Sequence, residues 1–101
     1  MFNINGETWH VKLVSPHHPE LQSRDGSFAL GMCDDKDKTI YINDAVDSVK
    51  MKKILCHELT HAAMFSYNVE LNIEQEELVA DLIATYGHEI VYTTNKIFKR
   101  I

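Results

Sequence analysis

His57, Glu58 and His61 have the residue types and the spacing of a metal site, because the segment from His57 to His61 has the pattern HExxH. Residues four apart lie on the same face of an α-helix, so both imidazoles can reach one ion. Glu58 is rotated by about 100° from His57, and its side chain is long enough to reach a water molecule beside that ion and accept its proton. The motif therefore supplies two zinc ligands and a base, and a third ligand must come from elsewhere in the chain.

The acidic segment that begins at Glu74 is the place to look for the third ligand. At about 100° per residue in a helix, Glu77, Asp81 and His88 share a narrow sector of one face, whereas Glu76 points away from it. Glu77 is the best-placed ligand, and Glu74, about 60° from it, is the alternative. Asp81 lies one turn after Glu77, where it can accept a hydrogen bond from the free ring nitrogen of a ligating histidine.

A helix from about Ser48 to Tyr67 is predicted to carry the motif near its middle, because apolar residues recur there at helical spacing. Asn43 or Asp44 is expected to cap this helix, which begins either directly after them or near Ser48. Asn68 is expected to end it. The stripe that faces the core consists of Met51, Leu55, Leu59 and Ala62.

A second helix is predicted to begin at Glu74, where acidic residues favour the positive end of the helix dipole. Ala80 and Ala84 permit the close approach to the first helix that a shared ion requires. Gly87 is expected to kink the second helix or to separate it from a final helix over residues 88–99. The side expected to face the core consists of Leu78, Val79, Leu82, Ile83, Tyr86 and Ile90.

Three strands are predicted before the helices. The first, Thr8–Val14, alternates and is rich in aromatic and β-branched residues. Ser27–Cys33 and Thr39–Asn43 form a predicted antiparallel pair, joined by a hairpin turn over residues 34–38. The expected fold class is therefore α+β, with a short antiparallel sheet of about three strands packed on two or three helices. Of the three histidines outside the helices, His17 and His18 are expected in solvent, and His10, in an alternating strand, is expected at the surface or half-buried.

Length and composition indicate one folded domain over residues 1–101, since the chain is 45% hydrophobic and 25% charged. A net charge of −5 disfavours a nucleic-acid partner. No signal-peptide pattern and no apolar stretch long enough to cross a membrane appear, so a cytoplasmic location without a membrane partner is expected. Two basic clusters are expected to be solvated helix faces; they are Lys50, Lys52 and Lys53, and Lys96, Lys99 and Arg100.

The two cysteines, Cys33 and Cys56, are expected to be free thiols in a reducing compartment. Cys56 directly precedes His57 and is expected to pack as a small apolar residue. Cys33 falls in the strand expected to border the site, where a thiolate can bind or inhibit a zinc ion.

The segments 54–62 and 77–84 resemble the minimal zincin peptidases of phages and bacteria, broadly the ImmA/IrrE-like group, in which HExxH is followed at moderate distance by ExxA. The likeness covers roughly residues 28–85, including Gly31, Cys33 and the strand after them. Glu77 and Asp81 also match the ExxxD arrangement of gluzincins, of which thermolysin is the familiar member. The resemblance implies a small zincin-like domain that binds zinc through a glutamate as third ligand and acts on a protein or peptide, such as a regulatory protein.

The expected activity is zinc-dependent hydrolysis of a peptide bond, with His57, His61 and Glu77 as ligands and Glu58 as general base. The substrate is expected to lie extended along the edge strand at residues 28–33.

Three further residues are candidates for stabilising a developing oxyanion: His88 first, then Tyr67 and Tyr86. Two other functions fit the same motif. One is a non-catalytic regulatory or binding module that zinc stabilises, and the other is a metal-dependent hydrolase of a non-peptide substrate.

Overall fold

A four-stranded mixed sheet forms one layer of the fold. The computed structural model of the protein describes all residues from Met1 to Ile101. The strands β1 (Phe2–Ile4), β2 (Glu7–Val14), β3 (Gly31–Asp34) and β4 (Thr39–Asn43) lie in the order β1-β2-β4-β3. β2 runs parallel to β4, and the other two pairs are antiparallel. The α+β class and the β3–β4 hairpin are confirmed, whereas the sheet has one strand more than predicted and is not wholly antiparallel.

The additional strand arises from a tight hairpin at the start of the chain. Asn5 and Gly6 have φ of 48° and 79°, the positive values that a two-residue type I′ turn requires at both central positions. This turn folds β1 back on β2 and pairs Phe2 with Trp9. β1 therefore forms one edge of the sheet, and β3 forms the other edge.

The long connection between β2 and β3 contains a short 3₁₀ turn, Pro19–Leu21, which buries Leu21 against the sheet. β3 begins at Gly31 rather than at Ser27, since Phe28 pairs with Gln22 only in an isolated bridge. His18 was expected in solvent; instead it is half-buried and stacks on Tyr41, with ring centroids 5.7 Å apart.

The helix α1 (Ser48–Ser66) carries the HExxH motif. The side chain of Asp47 caps α1 by accepting a hydrogen bond from the amide of Lys50, at 2.8 Å. The expected caps Asn43 and Asp44 are therefore wrong, because the Asn43 side chain accepts from Ala45 before the helix begins.

The predicted end of α1 at Asn68 is confirmed. Asn68 has a φ of 55°, in the left-handed region. The amide of Val69 bonds to the carbonyl of Met64 at 2.9 Å, and that of Asn68 bonds to the carbonyl of Phe65. These two bonds form a Schellman motif, which satisfies carbonyls that have no partner inside the helix.

The core lies between the sheet and one face of α1. Its fully buried members are Trp9, Ile40, Ile42 and Ala62. The predicted stripe of α1 is confirmed, because Met51, Leu55 and Leu59 pack against this cluster together with Ile54. The Trp9 indole nitrogen donates to the Ser66 hydroxyl at 2.8 Å, which fixes the end of α1 to β2.

Two further helices, α2 (Ile73–Leu82) and α3 (His88–Phe98), are joined by a π-helical turn at Ile83–Gly87. A capping box formed by Asn72 and Gln75 starts α2. Most of the core-facing side predicted for this region is wrong: Leu78, Leu82, Tyr86 and Ile90 are more than half exposed, and of the six residues only Val79 is half-buried. The buried residues of this region are Ala80 and Ala84, which face α1 as expected and allow the two helices to approach closely.

No helix combines the length and the apolar character needed to cross a membrane.

Candidate metal centre

Three side chains with potential ligand atoms meet between α1 and α2. The Nε2 atoms of His57 and His61 are 3.2 Å apart. The carboxylate of Glu77 lies between them, with Oε2 at 3.2 Å from His57 Nε2 and Oε1 at 2.9 Å from His61 Nε2. The structure thus brings together the two motif histidines and Glu77, a group of side chains that could hold a metal ion.

The spacing of these atoms fits a small tetrahedral ion. Ligands at about 2.0–2.1 Å from a tetrahedral centre lie about 3.3 Å from one another, close to the observed separations. The donor set of two imidazoles and one carboxylate is that of catalytic zinc sites, which leave the fourth position open. The ligand atoms of His57, His61 and Glu77 therefore fit the zinc ion that the sequence predicts.

Two more carboxylates support the histidines from behind. Asp81 Oδ1 lies 3.0 Å from His57 Nδ1, and Glu76 Oε1 lies 2.6 Å from His61 Nδ1. In each pair the histidine places its proton on Nδ1, since the carboxylate can only accept a hydrogen bond. A neutral imidazole with its proton on Nδ1 has its lone pair on Nε2, so both Nε2 atoms and the Glu77 carboxylate can then act as ligands of one cation.

The sequence predicts that Glu76 points away from the site, and the structure corrects this prediction. Glu76 and Glu77 are separated by about 100° around α2, yet both reach the site because the His61 ring extends between them. Glu77 takes the Nε2 side of the ring, and the long side chain of Glu76 takes the Nδ1 side. Each histidine therefore has its own carboxylate, as Asp81 was predicted to provide for one of them.

Glu58 is buried beside the two histidines, with only 8% of its surface exposed. Burial raises the pKa of its carboxyl above the ordinary value; the charge of Glu77 adds to this effect, while His57 and His61 oppose it. A carboxylate with a raised pKa is a better proton acceptor at neutral pH than an exposed one. The position and pKa of Glu58 suit the predicted role of general base.

The site opens into a cleft of about 310 Å³ between α1, α2 and the edge strand β3. β3 passes so close to α1 that a Cβ on Gly31 would lie 2.6 Å from Ile54 Cγ2 and 3.1 Å from Glu58 Cγ. Only glycine permits this approach. The cleft is lined by Gly31, Met32, Cys33, His57, Glu58, His61, Phe65 and Glu77.

A second hollow of about 400 Å³ continues the cleft toward the start of α1 and shares Gly31, His57 and Glu58 with it. Lys50 and Lys53 line this end, and neither lysine forms an ion pair. Lys50, Lys52 and Lys53 were interpreted only as a solvated helix face. The cleft thus passes from an apolar end at Phe65, across the candidate ligands, to a positively charged end.

Cys33 borders the cleft as expected, but it is not one of the three side chains that come together as candidate ligands. Burial, reinforced by the Glu58 carboxylate, raises the pKa of the Cys33 thiol to about 12. The group is therefore a neutral thiol at neutral pH, and both cysteines are free.

The oxyanion candidates lie away from the cleft. His88 lines a separate groove with Cys56 and Val91, and neither Tyr67 nor Tyr86 lines the cleft. Glu74 is exposed and contacts neither histidine, so Glu77 rather than Glu74 approaches them.

Three contributors to the site were not predicted: Glu76, Gly31 as a close-approach glycine, and the lysines of the cleft. The sequence carries a signal for the lysines, because Lys50, Lys53 and His57 recur at spacings of three and four on α1. The other two depend on how closely α2 and β3 approach α1, which spacing within one element does not show.

No protein-family model, curated protein or solved structure matches the chain. The candidate metal centre, two histidines and one glutamate with an adjacent buried carboxylate, therefore rests on the geometry of this chain alone.

Proposed function

We propose that this chain is a zinc-dependent metallopeptidase of the zincin type, with His57, His61 and Glu77 holding the ion. The observation that carries the proposal is the approach of two Nε2 atoms to 3.2 Å and of a different Glu77 carboxylate oxygen to within 3.2 Å of each, with Glu58 buried beside them. Zinc bound there supplies a Lewis acid that polarises a carbonyl and lowers the pKa of water. Structural zinc sites generally use four protein ligands, so a set of three with an adjacent base favours catalysis over a purely stabilising role.

The chain itself provides the base and the binding surface. The Glu58 carboxylate accepts a proton from the attacking water and then donates it to the leaving amine, for which its raised pKa is suited. Asp81 and Glu76 keep the histidine rings oriented. β3 is an edge strand with one unpaired side, so an extended peptide can add to it by backbone hydrogen bonds and cross the cleft.

The charged end of the cleft favours peptides that carry an acidic group near the scissile bond. Lys53 precedes His57 by four residues, which is about 6 Å along a helix axis. In an extended peptide this distance corresponds to about two residues. We expect a peptide with a glutamate at such a position to have a higher kcat/KM than its glutamine analogue, and Lys53→Gln to remove the difference.

Cleavage of a mixed peptide library by the zinc-loaded chain, followed by mass spectrometry, tests the activity. The matched control is Glu58→Gln, which preserves side-chain volume and is expected to bind zinc and fold normally while losing hydrolysis. Equal cleavage by Glu58→Gln and the wild type, or no cleavage by a wild-type chain with full zinc occupancy, contradicts the proposal. The second result favours a non-catalytic zinc-binding module instead.

A further inference from the structure

The helix α3 presents an apolar surface that nothing in the chain covers. Ile90, Ile97 and Phe98 are 57%, 56% and 70% exposed, and no residue of α3 is buried. The main contact of α3 within the chain is with the π-helical turn before it. An amphipathic helix of this kind is ordinarily stabilised by packing its apolar face, so α3 lacks the partner that its sequence requires.

The apolar residues follow the spacing of a helix that pairs with another helix. Ile90 and Ile97 are seven residues apart on α3 with Thr94 between them on the same face, the spacing of alternating core positions in a heptad, and Ile101 follows four residues later, beyond the end of the helix. Phe98 and Val91 border this line on one side. Such a narrow stripe favours contact with one further helix.

The charges beside the stripe favour a second copy of the same helix in the opposite direction. Glu89 near the start of α3 and Arg100 just after its end lie on the same flank of the stripe, and neither forms an ion pair within the chain. An antiparallel pair brings Glu89 of each copy to Arg100 of the other, with Ile90 of each copy near Ile97 and Phe98 of the other. In a parallel pair this flank would instead face the flank of the partner that carries Val91 and Phe98, so Glu89 and Arg100 would not meet.

A groove beside α3 extends this surface. It has a volume of about 630 Å³ and is lined mainly by apolar residues, among them Ile83, Ile90 and Val91. A two-helix contact of three turns is small against the roughly 800 Å² per partner of a standard stable interface, so the groove must also take part.

We infer that the chain forms a symmetric dimer in which α3 of one copy pairs antiparallel with α3 of a second copy. A twofold axis near Thr94 relates the two helices, so that one surface serves both partners. The inference does not depend on the proposed peptidase activity, because α3 provides none of the candidate metal ligands.

Sedimentation equilibrium of the full chain over a wide concentration range tests the dimer. Wild type is expected to dimerise, and Ile97→Glu is expected to raise the dissociation constant by at least about tenfold, the effect of removing an interface anchor. Ile97 is already exposed, so circular dichroism and the melting temperature of the monomer should change little. Wild type that stays monomeric up to millimolar concentration overturns the inference, as does monomeric wild type that binds anionic lipid vesicles through α3.

Charge reversal tests the orientation. Glu89→Lys and Arg100→Glu are each expected to weaken self-association, because each variant places like charges opposite one another. An equimolar mixture of the two variants is expected to form a heterodimer as stable as the wild-type dimer, since every 89–100 pair is then attractive. Lys99→Glu is the matched control, with the same change of charge on the far side of α3 from the stripe. Failure of the mixture to associate, or equal weakening by Lys99→Glu, overturns the antiparallel arrangement.

Discussion

Replacement of Glu76 by glutamine is expected to weaken zinc binding by about 10- to 100-fold, the usual effect of losing a carboxylate that hydrogen-bonds a metal-binding histidine. Each tenfold change in dissociation constant equals about 1.4 kcal/mol, so the expected loss is roughly 1.4–2.8 kcal/mol. The neutral amide can still accept the hydrogen bond from His61 Nδ1. The loss of zinc affinity therefore measures the contribution of the negative charge of Glu76, which makes His61 Nε2 a stronger ligand.

The same replacement at Asp81 is expected to cost less, below about tenfold, because water screens an exposed charge more strongly. The Asp81 side chain is 69% exposed and its oxygen lies 3.0 Å from His57, whereas Glu76 is 21% exposed and lies 2.6 Å from His61. The structure thus predicts an order of effects, Glu76→Gln larger than Asp81→Asn.

Competition with a chromophoric zinc chelator at pH 7 and constant ionic strength measures these affinities. Glu74→Gln is the matched control, because it makes the same change of charge in the first turn of α2 and contacts neither histidine. We expect this control to bind zinc as the wild type does. Equal zinc affinity of Glu76→Gln and Glu74→Gln, or a larger effect of Asp81→Asn than of Glu76→Gln, contradicts the expected order.

Three other variants test the ligand set and the elements that position it. Glu77→Ala is expected to lose stoichiometric zinc in metal analysis of the purified chain, and full occupancy would exclude Glu77 as a ligand. Gly31→Ala is expected to lower the free energy of unfolding by about 1–3 kcal/mol in urea titrations, because its Cβ would lie 2.6 Å from Ile54 Cγ2; an unchanged value would show that β3 can move away from α1 without cost. Ser66→Ala is expected to cost about 1–3 kcal/mol, since it leaves the buried Trp9 indole N–H without its acceptor, and thermal unfolding beside Ser66→Thr would detect the loss.

The parts of the fold that follow from short-range patterns could be predicted from the sequence. The period of α1, the strands β2 and β4, and the β3–β4 hairpin all depend on residues within one element or one turn. The Asn5-Gly6 pair is also such a signal, since this dipeptide is typical of a two-residue hairpin, and it would have predicted β1. The parallel pairing of β2 with β4 could not be predicted, because the two strands are 25 residues apart and the long segment between them includes β3 itself.

In the candidate site too, residues within one element could be predicted better than contacts between elements. His57, Glu58 and His61 belong to one helix, so their spacing alone places them together. Glu77 and Asp81 could be identified once α2 was assumed to face α1. Glu76 could not, because its approach to His61 depends on how far an imidazole ring projects between the helices rather than on the helical angle. The exposed side of α2 and α3 was misjudged because apolar spacing indicates a face that needs a partner without showing whether this chain supplies one.

The small contact surface of α2 has a consequence for the local stability of the protein. Only Ala80 and Ala84 of this region are buried against α1, and alanine side chains bury little apolar area. An ion shared by His57, His61 and Glu77 would therefore account for much of the attachment of residues 73–98 to the rest of the fold. Amide hydrogen exchange in α2 is then expected to accelerate on removal of the metal while exchange in β2 and β4 stays slow, because opening of this helical segment need not disturb the Trp9 core.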